Sequence, residues 1–197
     1  NGDDNVAIKS GRDNDGWNAH SPSENIIIRN CHFKGLHAVV IGSEMSSGVR
    51  NVIVENCDYA GYCKRGIFIK TNPDRGGFVE NVYVNNCTFG DVEDLFYVTS
   101  RYAGEGQDNN HFSTVRNIFV DGLKCNNVSA AALVLQGTEA KPVTNVAFDH
   151  IEVSKAKTGI SFENVQGVNM GECLIGKKAG TPTQDTPQDK VFERSNK

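Results

Sequence analysis

The sequence predicts an all-β protein, a solenoid of the parallel β-helix type, and three observations lead to this fold class. Short strand-like runs recur along the 197 residues at intervals of one solenoid coil. Helical periodicity is weak throughout the chain. Glycine and asparagine punctuate the turns between the runs. We therefore predict one β-helix domain over residues 1–176, followed by a polar tail or final loop over residues 177–197.

The first family of predicted strands consists of five runs that each open with an asparagine. The runs begin at Asn25, Asn51, Asn81, Asn117 and Asn145. Successive asparagines are 26, 30, 36 and 28 residues apart, which suits one coil of a solenoid with loops of variable length. A β-propeller is the main alternative, but it needs blades of about 40 to 50 residues and tight antiparallel hairpins, which the sequence does not show.

Two apolar columns follow these runs and contain most of the six cysteines. Six residues after the asparagines stand Cys31, Cys57, Cys87, Leu123 and Ile151, and two residues further on stand Phe33, Tyr59, Phe89, Cys125 and Val153. No C-x-x-C pair occurs, so we interpret these cysteines as small hydrophobic residues stacked inside the coils rather than as disulfides. Cys63 lies outside both columns, and for it a disulfide or a bound ligand stays open.

A second family of predicted strands lies between these runs. Its apolar triplets begin at Val6, Val39, Ile67, Phe96, Leu133 and Ile160. Side chains alternate along a strand, so the first and third residues of each triplet should point inward and the second outward. Strands that recur once per coil pair in parallel with their equivalents above and below, which makes a β-helix.

The register of the triplets places polar residues on one outer face. Equivalent residues of neighbouring coils should lie about 4.8 Å apart. The residues two positions before the triplets should therefore form a vertical line of Asp4, His37, Arg65 and Asp94. Lys9 and Lys70 each follow a triplet and should lie on the same side. A single exposed lysine or histidine is usually a solvated surface residue, and Asp3 with Asp4 could form a polar turn, but neither interpretation explains the whole column.

Composition and charge exclude several function classes. The net charge is −4 and basic residues form no long runs, so we expect no nucleic-acid partner. No apolar run reaches membrane-spanning length. The five histidines are scattered without a ligand spacing, and we expect neither a metal nor a cofactor. A local cluster of cations suits an anionic ligand held beside carboxylates, and it consists of Lys9, His37, Arg65, Lys70, Arg75 and Arg101.

Three segments resemble glycoside hydrolase family 28, the family of the polygalacturonases. Residues 2–11 resemble its G/Q-D-D-x-x-A-I-K-S-G signature, residues 35–44 resemble its G-H-G segment, and residues 66–70 fall where the family has R-I-K. The resemblance covers nearly all of the chain. It implies the C-terminal part of a right-handed parallel β-helix, truncated at its N-terminal side.

The resemblance also implies roles for individual residues. Asp3 would be the general acid and Asp4 would help to activate a water, with inversion at the sugar carbon. His37 would orient or tune the acid, and Lys70 would bind a uronate carboxylate. Tyr102 falls near the family's sugar-stacking tyrosine. The implied ligand is a pectic polysaccharide or oligogalacturonide, bound by a monomer that is secreted or periplasmic.

Two departures from the family pattern affect this interpretation. The family has a further catalytic aspartate, in an N-T-D motif, one coil before Gly2, and that segment is not in this sequence, so this chain on its own could be inactive even if its parent protein is an enzyme. Phe68 stands where the motif has arginine, which removes a charge-assisted hydrogen bond to a sugar carboxylate. Arg65 or Arg75 could compensate, or the neighbouring subsite could hold a neutral sugar, as in rhamnogalacturonan.

Three functions follow from these observations. The first is an inverting hydrolase of α-galacturonosyl linkages. The second is a rhamnogalacturonan hydrolase or an exo-galacturonosidase, which Phe68 and the long loop from Tyr102 to His111 favour. The third is a non-catalytic, carbohydrate-binding or structural β-solenoid.

Overall fold

A computed structural model describes residues 2–103 and 110–177 of the chain, apart from the side chain of Lys177. This part contains one short helix, α1 (Asp13–Ala19). Its eleven strands are β1 (Asp4–Ile8), β2 (Ser23–Arg29), β3 (His32–Phe33), β4 (His37–Gly42), β5 (Val49–Glu55), β6 (Asp58–Lys70), β7 (Phe78–Thr99), β8 (Thr114–Gln136), β9 (Val143–Glu163), β10 (Val165–Met170) and β11 (Cys173–Lys177). Apart from Lys177, the predicted tail lies outside the described residues.

Strand pairing confirms the predicted parallel β-helix. Every described strand pair is parallel, and one path runs β1-β4-β6-β7-β8-β9-β10. The triplets pair in the predicted register, from Val6 with Val39 through to Leu133 with Ile160. The long strands β7, β8 and β9 each contain a run of the first family and a triplet of the second. No helix in the described part is long and apolar enough to span a membrane.

The asparagines that open the first strand family form a hydrogen-bonded ladder. All five adopt a left-handed backbone conformation, with φ between 55° for Asn145 and 59° for Asn25. From Asn51 onward, each side-chain amide donates to the asparagine of the preceding coil, as from Asn81 to Asn51 at 3.1 Å and from Asn117 to Asn81 at 3.0 Å. Asparagine suits this corner because it tolerates positive φ and its amide can both donate and accept.

The core lies inside the coils and contains the predicted columns. Cys57, Cys87 and Cys125 are buried among valine, isoleucine and phenylalanine side chains, and Cys63 is fully buried. All six cysteines are described, and all six are free thiols. Burial raises the pKa of Cys63 and of Cys87 to about 12, so these thiols are unreactive and serve as packing residues. The interpretation of the cysteines as small hydrophobic residues is confirmed.

A corner before the triplets of the middle coils interrupts the strict alternation of side chains. Ala38 and Val39 are adjacent in sequence, yet both belong to the core, and the same holds for Leu95 with Phe96 and for Ala132 with Leu133. At Gly66, the equivalent position of the next coil, an added Cβ would lie 2.6 Å from the carbonyl oxygen of Leu95. Two consecutive inward residues reverse the parity of the strand, so residues just before the corner can face outward.

Candidate active site

The predicted polar column is present and in register. Asp4 pairs with His37, His37 with Arg65, and Arg65 with Asp94 on four neighbouring strands. The corner turns these residues toward the outer face. The contacts show this, since Arg65 and Lys70 both approach the ring of Phe68, which is the outward centre of its triplet. Residues that are far apart in the sequence therefore meet in one groove.

Asp4 lies between His37 and Lys70. Oδ1 of Asp4 is 2.6 Å from Nδ1 of His37, and Oδ2 is 3.9 Å from Nζ of Lys70. The three side chains are only 11–12% exposed, so water screens their charges weakly. An ionised Asp4 accepts the Nδ1–H of His37, which fixes both the tautomer and the orientation of the imidazole ring.

Asp3 is exposed beside this cluster. Its Oδ1 accepts a hydrogen bond from the backbone N–H of Asp4 at 2.9 Å. Ligand atoms of Asp3, Asp4 and His37 lie within 4.8 Å of one another, close enough to hold a cation together. The nearest carboxylate oxygens of Asp3 and Asp4 are thus closer than the roughly 6.5–9.5 Å that separates the carboxyl groups of most inverting glycosidases.

Lys70 provides a cation above two aromatic rings. Its Nζ lies 5.3 Å from the ring centroid of Phe68 and 5.1 Å from that of Tyr102. Burial lowers the pKa of Lys70, and the neighbouring Asp4 carboxylate opposes this shift. Tyr102 is 38% exposed, so its ring remains available to a ligand. Lys70 and Tyr102 can thus bind a carboxylate and a sugar face together.

Phe68 joins the column to a second aromatic residue. It lies 5.8 Å from the ring of His37 and stacks on Tyr97 at 5.3 Å. The guanidinium of Arg65 lies over both Phe68 and Tyr97, at 5.1 and 4.8 Å. Arg65 is therefore adjacent to the position where the signature has arginine, although Nη2 of Arg65 also contacts Asp94 at 3.2 Å.

Comparison with known proteins decides the family. The model of glycosyl hydrolases family 28 matches residues 1–174. The chain belongs to this family. A probable polygalacturonase from Vitis vinifera is 32% identical over 86% of the chain and 36% of its own length. A polygalacturonase from Ralstonia solanacearum is 30% identical over 47% of the chain and 17% of its own length.

A solved structure resembles this family 28 chain throughout its fold. The crystal structure of a hyperthermoactive exopolygalacturonase from Thermotoga maritima matches with a TM-score of 0.66 and 32% identity, over 85% of the chain and 39% of the Thermotoga chain. The right-handed parallel β-helix implied by the sequence is confirmed. The family 28 chain spans little more than a third of the length of the Vitis and Thermotoga relatives.

Two predicted ligand-binding residues of the family 28 chain have other partners. Nζ of Lys9 lies 2.6 Å from Oε2 of Glu44, in an exposed ion pair. Arg75 is 4% exposed, and its Nη1 lies 2.7 Å from Oδ1 of the buried Asp13. Arg75 therefore holds the loop between β6 and β7 against Asp13. Of the two arginines that could compensate for Phe68, Arg65 is the one that lies beside it.

Sequence reasoning did not predict α1 or its contacts. The helix has seven residues and lacks an apolar face, so no periodicity marks it. Nε1 of Trp17 donates to the carbonyl of Arg75 at 2.9 Å, and its ring stacks on His111 at 4.0 Å. The isolated tryptophan was the available signal, because a large aromatic residue in a polar segment usually has a packing partner.

Proposed function

We propose that the protein hydrolyses α-galacturonosyl linkages in pectin, with Asp3 as general acid and Asp4 as the group that activates water. Asp4 carries the proposal, because its carboxylate contacts His37 on one side and Lys70 on the other. His37 positions Asp4, and Lys70 binds the uronate carboxylate. The names of the polygalacturonase relatives support this substrate class.

The exposure of the two carboxyls supports the division of roles. Asp3 is exposed and can approach a glycosidic oxygen, whereas Asp4 is mostly buried and held by its neighbours. A general acid must reach the leaving group, while a group that orients water benefits from a fixed position. Lys70 and Tyr102 lie next to Asp4, where the charge and one face of a galacturonate ring would be bound.

The proposal is tested on polygalacturonate with the intact protein. Asp3→Asn and Asp4→Asn should each lower kcat by about 10³-fold, because a proton-transfer group is lost. Asp58→Asn is the matched control, since Asp58 also pairs with a histidine, His32 at 2.5 Å, but in an exposed position outside the column. Undiminished turnover in Asp3→Asn contradicts the acid role.

The stereochemical outcome needs a separate measurement, because the nearest carboxylate oxygens of Asp3 and Asp4 lie within 4.8 Å of each other, whereas most inverting pairs are about 6.5–9.5 Å apart. Proton NMR of the first product identifies its anomeric form. Inversion of an α-linkage releases the β-anomer, and initial release of the α-anomer contradicts inversion. Turnover that survives a chelator shows that Asp3, Asp4 and His37 act without a bound cation.

Phe68 supports a second candidate, a hydrolase of rhamnogalacturonan or an exo-acting enzyme. An apolar ring replaces the arginine of the signature beside Lys70, and the adjacent Arg65 is paired with Asp94. The Thermotoga relative is an exopolygalacturonase. Product chromatography separates the cases, since exo action releases only the terminal unit, and turnover of rhamnogalacturonan alone identifies that substrate. Binding without turnover of either polymer indicates a non-catalytic protein.

A further inference from the structure

A second groove lies on the same face as the active-site column, toward the C-terminal coils. We call it the Tyr97 groove, and its volume is about 300 Å³. Tyr97, Val134, Gln136 and Ser161 form its centre, on strands β7, β8 and β9. Asp94, Ala131, Lys157 and Thr158 also line it. None of the roles proposed for Asp3, Asp4, His37 and Lys70 uses this groove.

The groove arises from a drop in side-chain size along one column. The outward centres of successive triplets are in register, in the order Phe68, Tyr97, Val134 and Ser161. Phe68 stacks on one face of Tyr97 with an angle of 21° between the rings. On the other side Tyr97 is in register with Val134, a smaller side chain, and both residues line the groove. An aromatic face therefore forms one wall of the groove.

The polar groups of the groove suit hydroxyl groups. The hydroxyl of Tyr97 donates to Oε1 of Gln136 at 3.0 Å. The side-chain NH2 group of Gln136 takes no part in this bond and can donate to a ligand. Ser161 and Thr158 add two hydroxyls that can both donate and accept. An apolar wall combined with a few convergent hydrogen-bonding groups is typical of sugar-sized ligand sites.

The charge distribution disfavours a uronate in this groove. Asp94 is the buried charged residue of the lining, at 6% exposure. Its Oδ1 accepts from the backbone N–H of Ala131 at 3.1 Å, and its Oδ2 faces Arg65. Burial raises the pKa of Asp94, which reflects how poorly this position tolerates negative charge. Lys157 is exposed at the rim, where water and salt screen it.

The position of the groove relates it to Asp4. Tyr97 lies three strands from the strand of Asp4, which is roughly 14 Å at about 4.8 Å per strand. Lys70, Phe68 and Tyr97 connect the two places without leaving the outer face. One sugar cannot occupy both places, whereas an oligomer that follows the coils can.

We propose that the Tyr97 groove binds a neutral sugar unit of the same polysaccharide whose galacturonate unit occupies the site at Asp4 and Lys70. The inference rests on the proposed function for the identity of the polymer. The sugar packs its apolar face on Tyr97 and bonds through its hydroxyls to Gln136, Thr158 and Ser161. The preferred ligand is then a mixed polymer, in which galacturonate and neutral sugars occur along one chain.

Calorimetric titration tests this inference in an Asp3→Asn background of the intact protein, in which cleavage should be slow. The probes are a rhamnogalacturonan oligosaccharide of about eight units and trigalacturonate. Val134→Phe continues the aromatic column and fills the groove, and Ser161→Leu fills it from the next coil. Ala147→Phe is the matched control, because it extends the equivalent stack of Tyr83 and Phe119, also at 5.3 Å and 21°, on another face.

We expect both filling variants to weaken binding of the mixed oligosaccharide about tenfold, with Ala147→Phe and the affinity for trigalacturonate unchanged. Unchanged binding in both folded filling variants overturns the inference. A comparable loss in Lys157→Gln overturns the neutral-sugar assignment, because it indicates a bound carboxylate. Turnover of polygalacturonate by the wild type is measured separately. Groove-dependent binding without turnover contradicts only the proposed reaction, and turnover without groove-dependent binding contradicts only this inference.

Discussion

Single residues at the site combine burial with charge, and Lys70 shows the effect most clearly. Its side chain is 12% exposed, and its ammonium group lies over two aromatic rings. Burial lowers its pKa, so it loses its proton at a lower pH than an ordinary lysine. A uronate bound by Lys70 should therefore lose affinity as the solution becomes alkaline.

This effect predicts a pH dependence of KM for polygalacturonate. In the wild type, KM should rise several-fold as Lys70 becomes neutral, and the rise should begin below the pH at which an ordinary lysine loses its proton, whose pKa is about 10.4. Lys70→Arg should lack this rise because arginine stays protonated. Lys9→Arg is the control, since Lys9 forms an exposed pair with Glu44 and should leave the profile unchanged. Parallel profiles for the wild type and Lys70→Arg contradict binding by Lys70.

Phe68 should stabilise the protein through its contacts with cations. Phe68→Leu removes the ring that Arg65 and Lys70 approach and that stacks on Tyr97. Thermal denaturation should show a loss of about 1–3 kcal/mol. Phe119→Leu removes a ring of the same stacking geometry, over which no cation lies among the described residues, and should cost about 1 kcal/mol less. Equal losses would show that the cations contribute nothing.

At this scale the sequence predicted which residues meet, but not all of their contacts. The line from Asp4 to Asp94 followed from the spacing of apolar triplets, because register alone determines it. The partners of Arg65 and Arg75 depend on long, flexible side chains and on the position of α1. Spacing along the chain contains no information about those conformations.

The elements of the fold depend on the asparagine ladder at one corner. Asn81 contributes to two rungs, one to Asn51 and one from Asn117, whereas Asn25 contributes to one. Asn81→Gly should lower the free energy of unfolding by about 2 kcal/mol, since two hydrogen bonds are lost and the backbone is not strained. Asn81→Ala should cost about 1 kcal/mol more because alanine resists positive φ.

Urea denaturation of these variants checks the ladder, with Asn25→Gly as the end-of-ladder control. The control should cost about half as much as Asn81→Gly, since it removes one rung. Equal losses at both positions would show that the backbone conformation matters and the side-chain hydrogen bonds do not.

The strand families could be predicted from the sequence, but the corner before the triplets could not. The strand families were predictable because each coil repeats the same apolar spacing. Strict alternation would have pointed His37 inward, and only the paired core residues at the corner, Ala38 with Val39, reverse this. Such a corner is a backbone feature that alanine and glycine permit but do not specify.

Across the whole molecule, one buried ion pair joins distant segments. Asp13 in α1 and Arg75 before β7 are 5% and 4% exposed, and 2.7 Å separates their charged atoms. Removing one partner leaves the other charge buried, which costs more than losing an exposed pair. The helix and the loop should therefore detach together when the pair is broken.

Asp13→Asn should lower the free energy of unfolding by about 3 kcal/mol, because Arg75 loses its buried counter-charge while asparagine retains the left-handed backbone at φ 48°. Adding Arg75→Met should recover part of the loss. Glu44→Gln, which breaks the exposed pair with Lys9, should cost less than about 1 kcal/mol. Thermal denaturation measures all three, and a loss no larger than that of Glu44→Gln contradicts a stabilising role.

Because the coils stack in register, equivalent positions repeat along the outer face once per coil. A side chain can change its place along the groove only in whole steps of about 4.8 Å, by moving to the equivalent position of another coil. His37 is one step from Asp4, and Arg65 is two. Placing a lysine at the equivalent position of the next coil in place of Lys70 would thus change which unit of a polymer is bound, while the backbone stays the same.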